Sequence, residues 1–208
     1  MGSDNNNKPG PEPRHPTVAA SDAFMAACCF YTARTAWAAG VSTSALGALS
    51  VGTACSAGVL RFGIAPEMFR AYNENFAMFA GRVGIPLLGL GFGRASPAVS
   101  SLLPSGDLVV LFALASGFVL SLAWSNDGAG ELYTTMMGVL GMACILSSSW
   151  PADLPGVVGV LLFVAGGLAI GADRDRYIWG IRRENLFHYV LGTSIALFSS
   201  TSVLSPNQ

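Results

Sequence analysis

The chain has 208 residues, of which 52% are apolar and only 11% are charged, and its formal net charge at pH 7 is -1. Soluble domains carry about 25% charged residues, so this composition excludes an ordinary water-soluble domain. The balance of acidic and basic residues also excludes the positive footprint of a nucleic-acid-binding protein. The sequence therefore predicts an all-α integral membrane protein without a nucleic-acid partner.

A polar tail comes first in chain order. Residues 1–16 are rich in Asn, Pro and Gly and show no hydrophobic periodicity, so we expect them to be disordered. The tail lacks the basic start and apolar run of a signal peptide, and its acidic residues do not fit a transit peptide. Residues 17–205 form the predicted membrane domain.

Seven apolar runs follow the tail, and each approaches the roughly 20 residues that an α-helix needs to cross a bilayer. The predicted spans are 18–39, 42–60, 75–92, 108–124, 132–149, 155–172 and 186–204. Ser, Thr and Gly dilute the second, fifth and sixth runs, but none of these runs has the charged face of a soluble helix. We expect a compact bundle of about seven transmembrane helices.

The basic residues predict the orientation of this bundle. Alternating loops place eight Lys and Arg residues on the side of the N-terminus and one, Arg94, on the opposite side. Basic loops stay in the cytoplasm, so we expect a cytoplasmic N-terminus and a C-terminus across the membrane. We recognise no sorting signal, so the organelle stays open, with an endomembrane or the plasma membrane as the default.

Small residues on the second span predict close helix packing. Ser44, Ala48, Gly52 and Ser56 recur every four residues and form a smooth stripe on which another backbone can pack. We interpret this stripe as a contact face within the chain, and the seam of a homodimer is the alternative.

A pair of Glu-Asn sequences raises the question of an internal repeat. Glu74 and Glu184 each precede an Asn, follow a basic loop and open a span. A repeat of three spans on either side of the fourth would explain the match, as in some small transporters. Chance explains two matching residues as well, so both alternatives stay open.

Three polar residues inside the spans form the candidate polar core. Arg82 lies about seven residues into the third span, where a charge costs about 3 kcal/mol on insertion scales, so it should face protein or water. Asp22 in the first span and His188 in the seventh are its candidate partners on the same side of the membrane. The set is either a substrate or proton site or a buried network that holds the helices together, and the sequence favours the network.

Arginines in the cytoplasmic loops are candidate contacts for anionic lipid head groups. The linker before the third span mixes apolar and charged residues, and Pro66 could open a short interfacial helix there. The candidate headgroup contacts are Arg61, Arg70, Arg174, Arg176, Arg182 and Arg183. Plain topology signalling is the alternative role for these residues.

The sequence predicts no metal site, no cofactor and no catalytic residue. The four Cys residues lie in apolar runs without C-x-x-C spacing, so we interpret them as small hydrophobic residues. His188 has Gly192 four residues further on, so the paired histidines of a membrane metal site are missing. No intramembrane Ser stands in a G-x-S-x-G setting. The enzyme question stays open, with a non-enzymatic role favoured.

The predicted function is a non-enzymatic scaffold or assembly component that contacts membrane lipids and other membrane proteins. The alternative is a transporter or channel-like protein for a small anion or lipid, with its polar site at Asp22, Arg82 and His188. A water-accessible cavity lined by Arg82 would favour transport, whereas a dry, closed bundle would favour assembly.

Overall fold

The computed structural model describes residues 12–101, 103, 112, 114–119, 128–171 and 176–205. Within these ranges the chain is almost entirely helical, which confirms the predicted all-α class. The helices with described ends are α1 Pro16–Ala38, α2 Ser42–Gly63, α3 Pro66–Phe79, α4 Ile85–Ala95, α5 Pro97–Ser100, α6 Gly128–Ser149, α7 Leu154–Ala165 and α8 Arg183–Phe198. Residues 114–119 are also helical.

Three described stretches are long and apolar enough to cross a membrane: Ser42–Gly63, Pro66–Ala95 and Gly130–Ser149. The helical stretch Leu154–Ile170 is apolar but shorter. The predicted spans at 18–39, 42–60, 75–92, 132–149, 155–172 and 186–204 each overlap a helix. The predicted span at 108–124 lies mostly outside the described residues.

Proline and glycine set the ends of the first helices. Pro16 and Pro66 open α1 and α3, where a missing N–H breaks no helical hydrogen bond. Gly40 turns the chain between α1 and α2 with a φ of +76°, a conformation that glycine adopts without a Cβ clash. The short connections make α1 and α2 antiparallel neighbours along their length.

The long helical stretch from α3 to α4 contains a π-helical segment, Ala80–Gly84, that ends two residues before Pro86. In a regular α-helix the proline ring would collide with the carbonyl one turn earlier. The π-helical segment widens the helix there, and the Ile85 N–H donates to the carbonyl of Ala80, five residues back. The helix therefore continues past the proline. A second π-helical segment, Gly166–Ile170, extends α7.

A short β-hairpin, with two residues in each strand, precedes α8. Strand β1, Tyr177–Ile178, pairs antiparallel with β2, Ile181–Arg182. Trp179 and Gly180 form the turn with φ angles of +50° and +78°. Positive φ at both turn positions matches the right-handed twist of the strands. This hairpin is not apparent in the sequence, because two strand residues on each side are too few to show an alternating pattern.

Helices α1, α2, α4, α6, α7 and α8 share one apolar core. At its centre Phe92 of α4 and Phe198 of α8 are fully buried and meet edge to face, with ring centroids 5.9 Å apart. Contacts between helices show that α1, α3, α6 and α8 all begin at one end of the bundle, where α2 and α7 end. We call this the proximal end.

Candidate functional site

A cavity of about 600 Å³ lies between α1, α2, the α3–α4 stretch, α6, α7 and α8. This volume falls within the range of about 300–1,000 Å³ that is typical of small-molecule sites. Both π-helical segments border the cavity, and such segments often occur at functional sites. Its apolar part is lined by Met25, Val51, Ile85, Met142 and Leu191, among others.

The polar part of the cavity lies toward the proximal end. Its polar side chains come from the first two turns or so of four different helices, which explains why they meet there. They are Asp22 of α1, Asn73 of α3, Thr134 and Thr135 of α6, and Glu184 and His188 of α8. Asp22 and Glu184 are buried. The cavity is therefore amphipathic, with a polar end and a larger apolar part.

Asp22 and His188, two of the three predicted polar core residues, are in direct contact. His188 Nδ1 lies 3.1 Å from Asp22 Oδ1, and Ser21 Oγ lies 3.3 Å from the same ring nitrogen. Gly58 of α2 makes room for this contact, because a Cβ at that position would overlap the Asp22 carboxylate. The three side chains join α1 to α8 at the polar end of the cavity.

This cluster does not have the geometry of a serine nucleophile with its base. In a Ser-His-Asp triad the serine and the aspartate use opposite nitrogens of the imidazole. Here Ser21 and Asp22 both approach Nδ1 of His188, and Ser21 is fully buried. The arrangement can hold a ligand by hydrogen bonds, and it does not prepare Ser21 to attack one.

Arg82, the third predicted core residue, lies in the π-helical segment and is only 5% exposed. Its neighbours Gly81 and Ile85 line the cavity, but Arg82 is not among the described lining residues. Its backbone carbonyl instead lies against Gly117 of the helical residues 114–119. The structure thus brings Asp22 and His188 together and leaves Arg82 outside their cavity.

Arg61, a candidate headgroup contact, is only 3% exposed. Its guanidinium lies 3.2 Å from Glu12 and 3.1 Å from Glu74, so it is committed to protein carboxylates. Arg70, by contrast, is exposed and pairs with Glu12 at 2.9 Å and with Glu67 at 3.0 Å. A structural role fits Arg61, and Arg70 retains access to the surface.

The remaining candidate headgroup arginines surround the hairpin. Arg176 is exposed, and Arg182 is half-buried with Nη1 3.3 Å from His15 Nδ1. Arg183 donates to a backbone carbonyl of the second π-helical segment at 3.3 Å. Arg174 lies outside the described residues. Contact of these arginines with lipid head groups stays a prediction.

The predicted packing stripe on α2, formed by Ser44, Ala48, Gly52 and Ser56, contacts two helices of the same chain. Ser44 Oγ donates to the Leu88 carbonyl of α4 at 2.8 Å. Gly52 faces Phe30 of α1, whose ring would lie 2.9 Å from an added Cβ. A four-residue repeat drifts by about 40° per step around an α-helix, so its two halves meet different neighbours.

Glu184 lines the cavity but is not among the residues predicted from the sequence. Glu184 and His188 are four residues apart on α8 and therefore share one helical face, which was the available signal. The match between the Glu-Asn pairs at Glu74 and Glu184 instead suggested an internal repeat. Glu74 is 59% exposed and pairs with Arg61, whereas Glu184 is buried at the cavity, so the two positions have different environments.

Comparison of the chain with protein-family models, curated proteins and solved structures finds no match. Over the described ranges, no three His, Cys, Asp or Glu side chains form a group that could hold a metal ion. Function is therefore inferred from the cavity and from the surfaces around it.

Proposed function

We propose that this chain is a multi-pass integral membrane protein that binds a lipid-class amphiphile in the cavity, with the ligand's head group at the proximal end. The observation that carries the proposal is the division of one cavity into a buried polar end and a larger apolar part. An amphiphile with one hydrocarbon chain matches both parts. A fully polar solute would leave the apolar walls without a partner.

The outer faces of the helices support a lipid environment. Leu132, Met136 and Leu140 recur every four residues on the exposed side of α6. The apolar stretch Gly130–Ser149 is mostly unburied, although it is long enough to span a bilayer. An outward apolar face of this length is unfavourable in water and suits contact with lipid tails.

The cavity opens through an apolar mouth between α6 and the end of α7. Val139 and Leu168 line the cavity and are themselves 65% and 85% exposed. Gly138 and Gly167 lie beside them, and a Cβ at either glycine would meet no atom of the described residues within 4 Å. In a membrane this mouth would face lipid tails, so a ligand would enter sideways from the bilayer.

The polar lining favours a head group that donates hydrogen bonds. Asp22 and Glu184 contribute carboxylates, and no Lys or Arg occurs among the described lining residues. Carboxylates accept hydrogen bonds and repel anions. This composition favours the lipid alternative over the small anion, and an amine or hydroxyl head group over a phosphate or a free carboxylate.

The predicted topology is part of the proposal. Seven spans with a cytoplasmic N-terminus place the proximal end of the bundle at the cytoplasmic leaflet, so the ligand's head group would lie at its natural depth. Impermeant labelling of single cysteines introduced at Arg94 and at Arg176 tests the orientation. Arg176→Cys should react only from the cytoplasmic side and Arg94→Cys only from the other side.

Binding can be tested with three radiolabelled probes that share one long hydrocarbon chain and carry an amine, a hydroxyl or a carboxylate. We expect saturable binding to the purified protein in detergent, strongest for the amine and weakest for the carboxylate. Gly138→Leu should fill the mouth and weaken amine binding about tenfold, which is about 1.4 kcal/mol. Ala27→Leu introduces the same side chain at an exposed site on α1 and is the control.

No saturable binding of any probe would contradict the ligand site, and equal weakening by both variants would contradict the proposed mouth. The scaffold role predicted from the sequence remains compatible with the exposed apolar faces. Those faces fit lipid tails as well as a protein partner, so the cavity is the more specific observation.

A further inference from the structure

Residues Glu12–His15, directly before α1, cross the proximal end of the bundle, and we refer to them as the strap. The Glu12 N–H donates to Glu67 Oε1 at 3.0 Å. The Glu12 carboxylate lies 3.2 Å from an Arg61 nitrogen and 2.9 Å from an Arg70 nitrogen. One side chain of the strap therefore holds arginines from both α2 and α3.

The other end of the strap is anchored at His15. Its backbone N–H donates to the carbonyl of Phe62, near the end of α2, at 2.9 Å. The His15 and Phe62 rings pack with centroids 6.4 Å apart. Arg182 of the hairpin reaches the His15 ring at 3.3 Å. The strap thus also contacts the hairpin that leads into α8.

The elements that hold the strap are the ones that form the polar end of the cavity. Phe62 lines the cavity, and so does Asn73, whose side-chain oxygen accepts from Arg61 at 3.2 Å. Glu184 follows Arg182 by two residues and lines the cavity as well. A movement of the strap would therefore loosen the segments that carry all three of these lining residues at once.

Glu12 is suited to lock this arrangement. It is only 18% exposed, and it is shared between two arginines. Arg61 is almost fully buried, and a buried charge that loses a partner is strongly destabilised. Among the described carboxylates, Arg61 pairs with Glu12 and Glu74. If Glu12 lost its charge, Arg61 would keep only Glu74 of these two, and Glu74 is largely exposed.

We propose that the strap is a latch, locked by Glu12, that closes the polar end of the cavity to cytoplasmic water while the mouth between α6 and α7 stays open to lipid. The latch extends the proposed function, since its release would expose a bound head group to water. A ligand could then leave on the aqueous side of the site, which gives the cavity two routes of access.

Cys55 lines the cavity and reports on access to it. The test uses a chain in which Cys55 is the single cysteine, held in lipid nanodiscs so that both aqueous faces are open. The replaced positions are Cys28, Cys29 and Cys144. A charged, membrane-impermeant thiol reagent and a small neutral one that dissolves in lipid are compared, and their rate ratio cancels differences in thiol reactivity.

With the latch closed, we expect the neutral reagent to modify Cys55 and the charged reagent to react far more slowly. Glu12→Gln should raise the charged-to-neutral rate ratio at least tenfold. Glu131→Gln removes an exposed carboxylate near the start of α6 and should leave the ratio unchanged. Arg70→Gln removes one exposed partner of Glu12, leaves the buried Arg61 with both of its carboxylates, and should give an intermediate increase.

An unchanged ratio in both Glu12→Gln and Arg70→Gln would overturn the latch. Equal acceleration of both reagents would overturn it too, because general loosening of the bundle would then explain the access. Arg70→Gln keeps the test decisive if Glu12→Gln does not fold. Thiol access requires no ligand, so failure of lipid binding and failure of the latch are seen separately.

Discussion

Two glycines of α6, about one helical turn apart, have opposite surroundings. Gly141 lies against α4, and a Cβ on Gly89 of α4 would overlap the Gly141 backbone. Gly138 faces the mouth of the cavity, where an added Cβ would contact none of the residues that the structure describes within 4 Å. Glycine permits two backbones to touch at the first face and leaves an opening at the second.

The difference shows that a small residue in an apolar helix leaves space beside that helix, and that the residue alone does not show whether another helix fills the space. Close packing follows only where another helix can approach along the same line, as α4 does beside α6. Around the cavity the helices are held apart, and both π-helical segments lie on its border. A widened helix presents its side chains in a register that the neighbouring helix does not match.

The largest expected effect is at the packed face. Gly89→Leu forces a side chain into the backbone of α6 and should destabilise the folded bundle by about 3 kcal/mol or more. Gly138→Leu should change stability by less than about 1 kcal/mol, because the site is open and leucine favours helix. Denaturation in mixed detergent micelles, followed by helical circular dichroism, measures both. Similar losses in the two variants would remove the distinction between the faces.

The contact between Asp22 and His188 should give the next largest effect. Asp22→Asn and His188→Ala each disturb a buried hydrogen-bonding group, so we expect each to cost about 1–3 kcal/mol of stability. Because the two side chains touch, the double variant should lose less than the sum of the single losses. Amine binding should weaken in all three proteins. Additive stability losses would show that the contact contributes nothing.

A substitution of Arg82 tests whether this residue belongs to the binding site. Arg82→Met keeps the length of the side chain and removes a charge that does not line the cavity. We expect the affinity for the amine probe to change by less than about twofold, under about 0.5 kcal/mol, whatever happens to stability. A binding titration of the folded fraction measures this effect. A tenfold loss of affinity would return Arg82 to the polar site.

A small effect on stability is expected at Glu74. This carboxylate is largely exposed, and without it Arg61 keeps its contacts with the less exposed Glu12 and with the Asn73 oxygen, so Glu74→Gln should cost at most about 1 kcal/mol of stability. Glu184→Gln changes a buried residue of the cavity and should lower amine binding. Equal behaviour of the two variants in stability and in binding would favour the internal repeat after all.

Much of the helical architecture follows from the sequence, because apolar runs, prolines and glycines act locally. The meeting of Asp22 and His188 was also foreseeable, since each lies near the start of a predicted span on the same side. The position of Arg82 was not. A π-helical segment changes the face that later residues present by roughly 100°, one residue's rotation, which regular helical periodicity does not include.

The open glycines could not be predicted either. Gly138 and Gly141 look alike in the sequence, and so do Gly166 and Gly167. Gly166 lies against Val190 of α8, whereas a Cβ on Gly167 would contact no part of the described chain within 4 Å. The gap between three helices depends on how all of them are held, and that information is spread over distant contacts rather than contained in one segment.

The central claim is that a lipid-class amphiphile occupies the cavity through the mouth between α6 and α7. The most direct measurement is photo-crosslinking in nanodiscs with a long-chain amine that carries a photoactivatable group on its chain, followed by peptide mass spectrometry. We predict adducts on cavity residues such as Met25, Met142 and Leu191, and their loss in Gly138→Leu. Adducts confined to the outer face of α6, at Leu132 and Met136, and unchanged in Gly138→Leu, would contradict the claim.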